Sequence, residues 1–510
     1  MSAKRIKTTA LCLSLVLLSA LFLTGCKKSP EGVQILNYEL SESGDAGKTY
    51  AGSMGVPEGE SCPVVFVLHG AHAIEGDTPT PYYQGFEYLL RELAEKGYLA
   101  ISIDINSAYT GDSMEGDEYS RIKNAFKASY DKLVLANEGK KVFPIDLKGK
   151  ADLSKVNMIG HSRGGDNITQ LIADPELRSI SFVSALKIAA AGNSRLQENY
   201  ADIPTAFIYS QYDEDVSDLA SARYYYHAYG DEARRSPIIS AFLYGGNHAA
   251  YNTLVNSSGL TSFGDEAKLL EGDIQRSFLK AFALDFLSVY NKDASLFQVF
   301  NSETQGRYGM NFMLSVHDPR GSHIVLPDEY KSGIQSENLR FEYLVSSKNE
   351  LRNSAGIFNP PGTPEKLPLY KISWDKPGGS LTIPVDGMFY GINADKLLSL
   401  YIALDSGDGL NSPNKACSFD LVLTDAEGKE VSIPFSSEKN SALKYQPGKV
   451  LDLGESFAKW QAFTPLGTEL IKLSDYKDRL LVDNIVSIKF KPSGETGAIM
   501  LAGIDVYPQS

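Results

Sequence analysis

Cysteine and tryptophan are scarce in this chain. Its 510 residues include four Cys (Cys12, Cys26, Cys62, Cys417) and two Trp (Trp374, Trp460). Four widely spaced thiols exclude a disulfide-built scaffold. Positive charge is also in deficit: 49 Lys and Arg stand against 63 Asp and Glu, a net charge of −14. Such a balance excludes a nucleic-acid partner, which needs clustered cations to replace counterions. There is no fixed-period repeat and no low-complexity tract, which excludes a solenoid or a tethering array. Beyond the first 25 residues no long apolar run occurs, so the rest of the chain carries no candidate membrane-spanning helix. What remains is ordinary for a folded protein, 43% hydrophobic and 22% charged, and long enough for two domains, each with a sizeable core.

The one long apolar run is at the start. Lys4, Arg5 and Lys7 precede ALCLSLVLLSALFL at 10–23. That is too short for a stable membrane span but suits a signal peptide. It ends in Leu23-Thr24-Gly25-Cys26, which resembles a bacterial lipobox. The resemblance implies cleavage before Cys26, lipidation of Cys26, and a short tether over 26–32. Several acyl chains anchor stably where one alone does not. Removing Lys4, Arg5 and Lys7 takes the net charge from −14 to −17. The expected location is therefore the cell envelope, at the outer membrane or cell surface.

Strand and helix patterns then alternate. Strand-like runs at 33–40 and 47–54 lead to the solid apolar run PVVFVL at 63–68, as for a strand buried on both faces. A helix is predicted over 82–96, a strand over 99–105, and a helix over 117–137 with Ile122, Phe126, Tyr130 and Leu133 on one face. Strands follow at 156–159, 186–191, 205–209 and 238–244, with helices at 166–174, 216–229 and 266–290. This alternation predicts a doubly wound, mostly parallel α/β sheet over 33–295. After residue 295 helical periodicity fades. Val486–Lys491 alternates apolar and polar, and Asp425-Ala426-Glu427-Gly428 reads as a hairpin turn. The Pro-rich stretch 359–364 reads as a loop. The region 300–510 is predicted to be an antiparallel β-sandwich.

The strongest local motif is Gly160-His161-Ser162-Arg163-Gly164-Gly165. A strand enters it and a helix leaves, the context of a nucleophile elbow that pushes Ser162 out at the sheet edge. Serine needs a base and an orienting acid. An acid is expected after strand 205–209, in Ser210-Gln211-Tyr212-Asp213-Glu214-Asp215. Asp213 is the first choice, where the strand has just ended; Asp215 is second, and Glu214 and Asp218 are further alternatives. A base is expected in Gly245-Gly246-Asn247-His248, and only seven His exist in the chain. His248 is that base. Backbone N–H groups of Arg163 and of Ala71, or else His72, would hold the oxyanion. His161 is expected to pack. His69, His72 and Glu75 have a loosely metal-like spacing, but no helix aligns them, and Asp112, Glu115, Asp117 and Glu118 lack an EF-hand pattern. No metal and no organic cofactor is expected.

Together, HG at 69–70, GHSRGG at 160–165, YDEDV at 212–216 and GGNHAAYN at 245–252 resemble secreted α/β-hydrolases. The similarity is to the branch that holds chlorophyllase-like, platelet-activating-factor-acetylhydrolase-like and bacterial polyester hydrolases, and it covers residues 33–292. It implies Ser162 as nucleophile, Asp213 as acid, His248 as base, Ala71 and Arg163 as oxyanion donors, and a small-molecule or lipid-like ester as substrate. Polyester hydrolases carry an aromatic after the Gly where Ala71 stands, which argues against a polymer. The closing segment 497–507 resembles jelly-roll, carbohydrate-binding-module-like sandwiches, which implies a glycan contact. An amidase or peptidase on the same fold, and a glycan-binding lipoprotein with an inert hydrolase domain, are the competing readings.

Overall fold

The computed structural model describes residues 33–41, 49–72, 79–109, 118–190, 201–213, 215–216, 222–255, 269–331, 333–347, 366–445 and 466–509. Cys26 and the signal segment, Glu75, Asp112, Glu115, Asp117, Glu214, Asp218, Trp460 and the Pro-rich stretch 359–364 lie outside them.

A nine-stranded sheet forms first. Its strands are β1 (Gln34–Ser41), β2 (Thr49–Val56), β3 (Cys62–Leu68), β4 (Leu99–Ile103), β5 (Ala151–His161), β6 (Phe182–Ile188), β7 (Thr205–Tyr212), β8 (Ile238–Asn247) and β9 (Phe312–His317). They are ordered β1-β2-β4-β3-β5-β6-β7-β8-β9. β4 through β8 run parallel with β3, while β1, β2 and β9 are antiparallel to their neighbours. The PVVFVL run becomes β3, five of whose side chains lie at 0% exposure; no alternation survives because helices cover both faces. α1 (Glu87–Glu95), α2 (Glu118–Asn137), α3 (Arg163–Ala173) and α5 (Gly272–Asn291) supply that cover, while α4 (Ala222–Tyr229) packs on β7 and β8. This is the doubly wound arrangement expected from the alternation of strands and helices: a parallel sheet entered through an antiparallel pair, with the β5–α3 turn near its centre.

β6 begins four residues before the expected 186–191. A hidden polar residue explains the offset: Ser184 is fully buried and donates to Asn157 Oδ1 at 2.6 Å. Its expected end fails because the chain turns at Ala189, where φ is +45°.

The remaining strands form the two antiparallel sheets of a sandwich. One runs β12 (Arg340–Ser347), β13 (Lys366–Trp374), β20 (Gly497–Pro508), β15 (Lys396–Leu404), β18 (Gly467–Lys472), with β10 (Ser322–Val325) also on β20. The other runs β11 (Gln335–Glu337), β14 (Ser380–Pro384), β19 (Ile485–Pro492), β16 (Ser418–Asp425), β17 (Glu430–Ser436). β19 shows the expected half-exposed alternation, and Gly428, at φ +80°, closes the β16–β17 hairpin with its N–H on Asp425 O at 2.9 Å. Trp374 is buried with its indole N–H on the Gly494 carbonyl at 3.2 Å, so it offers no face to a sugar. Cys62 and Cys417 are both buried free thiols.

The α/β sheet reaches past the boundary expected at 295–300. β9 lies beyond it yet pairs with β8 over six residues, Phe312–His317 against Ile238–Leu243. The two units also share one hydrophobic cluster: Tyr225 and Tyr229 of α4 pack with Tyr401, Ile402 and Ile504 of the sandwich. At its centre Asp505, 1% exposed, accepts from Tyr229, Tyr507 and His323 at 3.1, 3.0 and 2.6 Å. A buried carboxylate is tolerated where its lone pairs are filled in this way.

Candidate active site

Ser162 sits between β5 and α3 with φ +54° and ψ −128°. A non-glycine side chain in that region is strained, and strain of this kind is sustained only where the surroundings over-determine it. The surroundings here are tight. A Cβ on Gly160 would lie 2.5 Å from Gly164 O, one on Gly164 would lie 2.5 Å from His69 O, and one on Gly165 would lie 2.7 Å from Ala190 Cβ. The three glycines therefore let α3 press against β3 and β5, which turns the chain sharply at Ser162. Ser162 N–H bonds the Ile188 carbonyl and Gly165 N–H bonds the Ser162 carbonyl, each at 2.9 Å. Because its clash is with backbone, Gly164→Ala should lower stability by about 3 kcal/mol, measured as a urea midpoint shift. An unchanged midpoint would show that the turn is looser than its geometry.

Asp213 and His248 come together from the ends of β7 and β8. His248 Nδ1 lies 2.9 and 3.1 Å from the two Asp213 oxygens. Both side chains are buried, at 3% and 1% exposure. Asp213 Oδ1 also accepts the N–H groups of Val216 at 2.6 Å and Asp215 at 3.2 Å. Those bonds fix its orientation. Asp215 lies on the other side of the ring, its Oδ2 3.3 Å from His248 Nε2, with a side chain 57% exposed. The first and second choices of acid from sequence thus flank the same imidazole, and only Asp213 is on Nδ1.

His161 ties the serine turn to the histidine loop. Its Nε2–H donates to the His248 carbonyl at 3.0 Å, and the two rings stand 4.9 Å apart. Gly70 passes on the other side: a Cβ there would meet Ser162 Cβ at 2.6 Å. Ala71 and Arg163, the expected oxyanion residues, therefore immediately follow two backbone segments that touch at Ser162. The Arg163 side chain is turned away into an ion pair with Glu118 and lies over the Tyr109 ring, 5.3 Å from its centre.

Several positioning residues make contacts that the linear motifs do not show. Gln275 of α5 is fully buried and grips Asn247, accepting its N–H at 3.0 Å and donating to its carbonyl at 2.8 Å. Tyr251 bonds Ser210 at 2.8 Å, joining the base loop to the acid strand. Asn252 donates to Tyr82 O at 2.9 Å, and Tyr82 packs on His72 with ring centres 4.6 Å apart. The periodicity of α5 reveals a buried face, but not that one of its members is a glutamine with this partner.

The His69 ring is hydrogen-bonded at both nitrogens: Nδ1–H donates to Gly70 O at 2.8 Å and Nε2 accepts Ile105 N–H at 3.0 Å. Both ring nitrogens are thus occupied, which leaves no lone pair for a metal. Among the described residues no group of His, Cys, Asp and Glu is arranged to hold a metal ion.

Burial, helped by the neighbouring imidazoles, pushes His72 down to about 3 and His161 well below the ordinary histidine range. Burial likewise pushes His317, under the sandwich, down to about 4. All three are protonated more readily in the unfolded chain, so they stabilise the fold above pH 6.5 and erode it as pH falls. Each contributes up to about 1.4 kcal/mol per pH unit. His323 opposes them: although burial lowers it, Asp505 raises it overall, so its contribution is present below the unfolded pKa and lost as pH rises. Glu469, whose carboxyl is raised by burial, also opposes them; three histidines against these two predict a lower urea midpoint at pH 5 than at pH 6.5. Equal midpoints would contradict it.

No protein-family model matches the chain, and no curated protein does either. Solved structures do resemble it. Est1E from Butyrivibrio proteoclasticus has 13% identity and a TM-score of 0.30, covering 49% of this chain and 99% of its own. A dienelactone hydrolase-like promiscuous phosphotriesterase, P91, from metagenomic libraries has 13% identity and a TM-score of 0.32, covering 51% and 99%. The dienelactone hydrolase from Anabaena variabilis has 14% identity and a TM-score of 0.30, covering 51% and 99%.

Proposed function

We propose that the chain is a serine hydrolase that cleaves small carboxylic esters through an acyl-enzyme. The observation that carries this reading is a strained serine at the C-terminal edge of a parallel sheet, tethered through His161 to a histidine whose Nδ1 is bound by a buried aspartate.

In this reading Ser162 Oγ attacks the ester carbonyl carbon while His248 Nε2 takes its proton. Asp213 holds the Nδ1–H tautomer and stabilises the imidazolium. The developing oxyanion is held by the N–H groups of Arg163 and Ala71, each such donor being worth about 3 kcal/mol in the transition state. Collapse breaks the ester C–O bond and His248 returns the proton to the departing alcohol. Water, deprotonated by His248, then attacks the acyl carbon and frees the acid and Ser162. Every proton moves between residues of this chain, substrate and water, so the steps call for no cofactor.

Export and lipid anchoring through Cys26, placing this activity at the cell envelope, is part of the proposal and rests on the sequence alone. The test is hydrolysis of a short-chain p-nitrophenyl ester beside the matching anilide. Turnover of the ester well above the anilide supports an esterase. The reverse order would favour the amidase reading.

A further inference from the structure

Asp215 has a place the proposed chemistry does not use. It cannot be the orienting acid, because Asp213 already occupies Nδ1 with both oxygens. Its carboxylate lies instead 3.3 Å from Nε2, the nitrogen that would pass a proton to the departing alcohol. The loop is pinned there, since the backbone N–H groups of Asp215 and Val216 both bond Asp213 Oδ1, yet the Asp215 side chain is 57% exposed and open to substrate. Among the described residues its one ion partner is His248. Arg163, next in sequence to Ser162, is committed to Glu118 and the Tyr109 ring. Among the groups that face His248 are Asp213 on Nδ1, Asp215 on Nε2 and the His161 ring, with His72 close enough to interact electrostatically.

Resting on the serine-hydrolase reading, we infer that Asp215 is a specificity residue that selects esters whose alcohol portion carries a positive charge, such as amino-alcohol or quaternary-ammonium esters. The alcohol oxygen must approach Nε2 to be protonated. A cation a few bonds beyond that oxygen then lies beside the Asp215 carboxylate. Pairing with the substrate cation also draws the carboxylate off Nε2, which leaves that nitrogen for the Ser162 proton. A neutral alcohol does neither, and an anionic one is repelled.

The test compares two acetate esters of nearly equal shape on the full chain: the choline ester and the 3,3-dimethylbutyl ester, its uncharged isostere. At low salt kcat/KM should favour the choline ester about fivefold, near the upper end for a solvent-exposed ion pair. The preference should shrink as ionic strength rises. It should fall to about one in Asp215→Asn and persist in Asp215→Glu, a rescue that a merely structural role would not give. Equal rates on both esters in the unaltered chain, or a preference that survives in Asp215→Asn, would overturn the inference. p-Nitrophenyl acetate separates the two layers of argument. If it is hydrolysed while neither alkyl ester is, the specificity is wrong and the hydrolase reading stands. If all three are inert, the hydrolase reading itself fails.

Discussion

Ser162→Ala and His248→Ala should each lower kcat on a short-chain ester by about 10^5-fold, and the double variant should be no worse than either. The non-additivity is the informative part. If Ser162 Oγ is the nucleophile and His248 Nε2 its base, neither group works alone, so removing the second costs nothing further. Independent contributions would multiply instead. His248→Ala removes a buried ring that also stacks on His161, so a stability loss must be separated from a catalytic one. The unfolding midpoint of His248→Gln, which keeps a polar side chain there, provides that control. A double variant much slower than both singles would contradict the shared step.

Cutting the chain near residue 299 should leave a catalytic fragment that does not fold to a stable, active form. The cut removes β9, and β8 becomes a bare edge with six unpaired residues. It also uncovers Tyr225 and Tyr229 of α4, which are 2% and 4% exposed in the whole chain. α4 follows directly on the loop that carries Asp213, so losing its cover loosens the acid as well. The complementary 300–510 fragment suffers too, since Asp505 loses the Tyr229 donor and Gly503 the ring that packs against it. Soluble expression and thermal unfolding of the two fragments check this. Two fragments that each melt cooperatively, with ester turnover kept by the first, would contradict it.

The division of the chain into an α/β unit and a sandwich is legible in the sequence because the hydrophobic period changes near residue 295. The exact seam is not, because β9 looks like any other short apolar strand, and nothing local says which sheet it joins. The α/β strands are legible where their residues are uniformly apolar, as in β3, and blurred where a buried polar group is satisfied at long range, as with Ser184 on Asn157 in β6. At the site, Ser162, Asp213 and His248 stand out because each follows a strand and two lie among glycines. Gln275, Tyr251 and the His161–His248 contact depend on the folded proximity of residues far apart in sequence, and no spacing encodes them. The position of Asp215 is of the same kind: the acidic loop shows several candidates, and only the fold puts Asp213 and Asp215 on opposite sides of the ring.

The central claim is that Ser162 is an activated nucleophile, and the most direct measurement is covalent capture. A fluorophosphonate should add one phosphonyl group to the intact protein, located on the peptide containing Ser162. His248→Ala, which lacks the base, should react far more slowly. Labelling at another residue, or equal labelling of folded Ser162→Ala, would contradict the account.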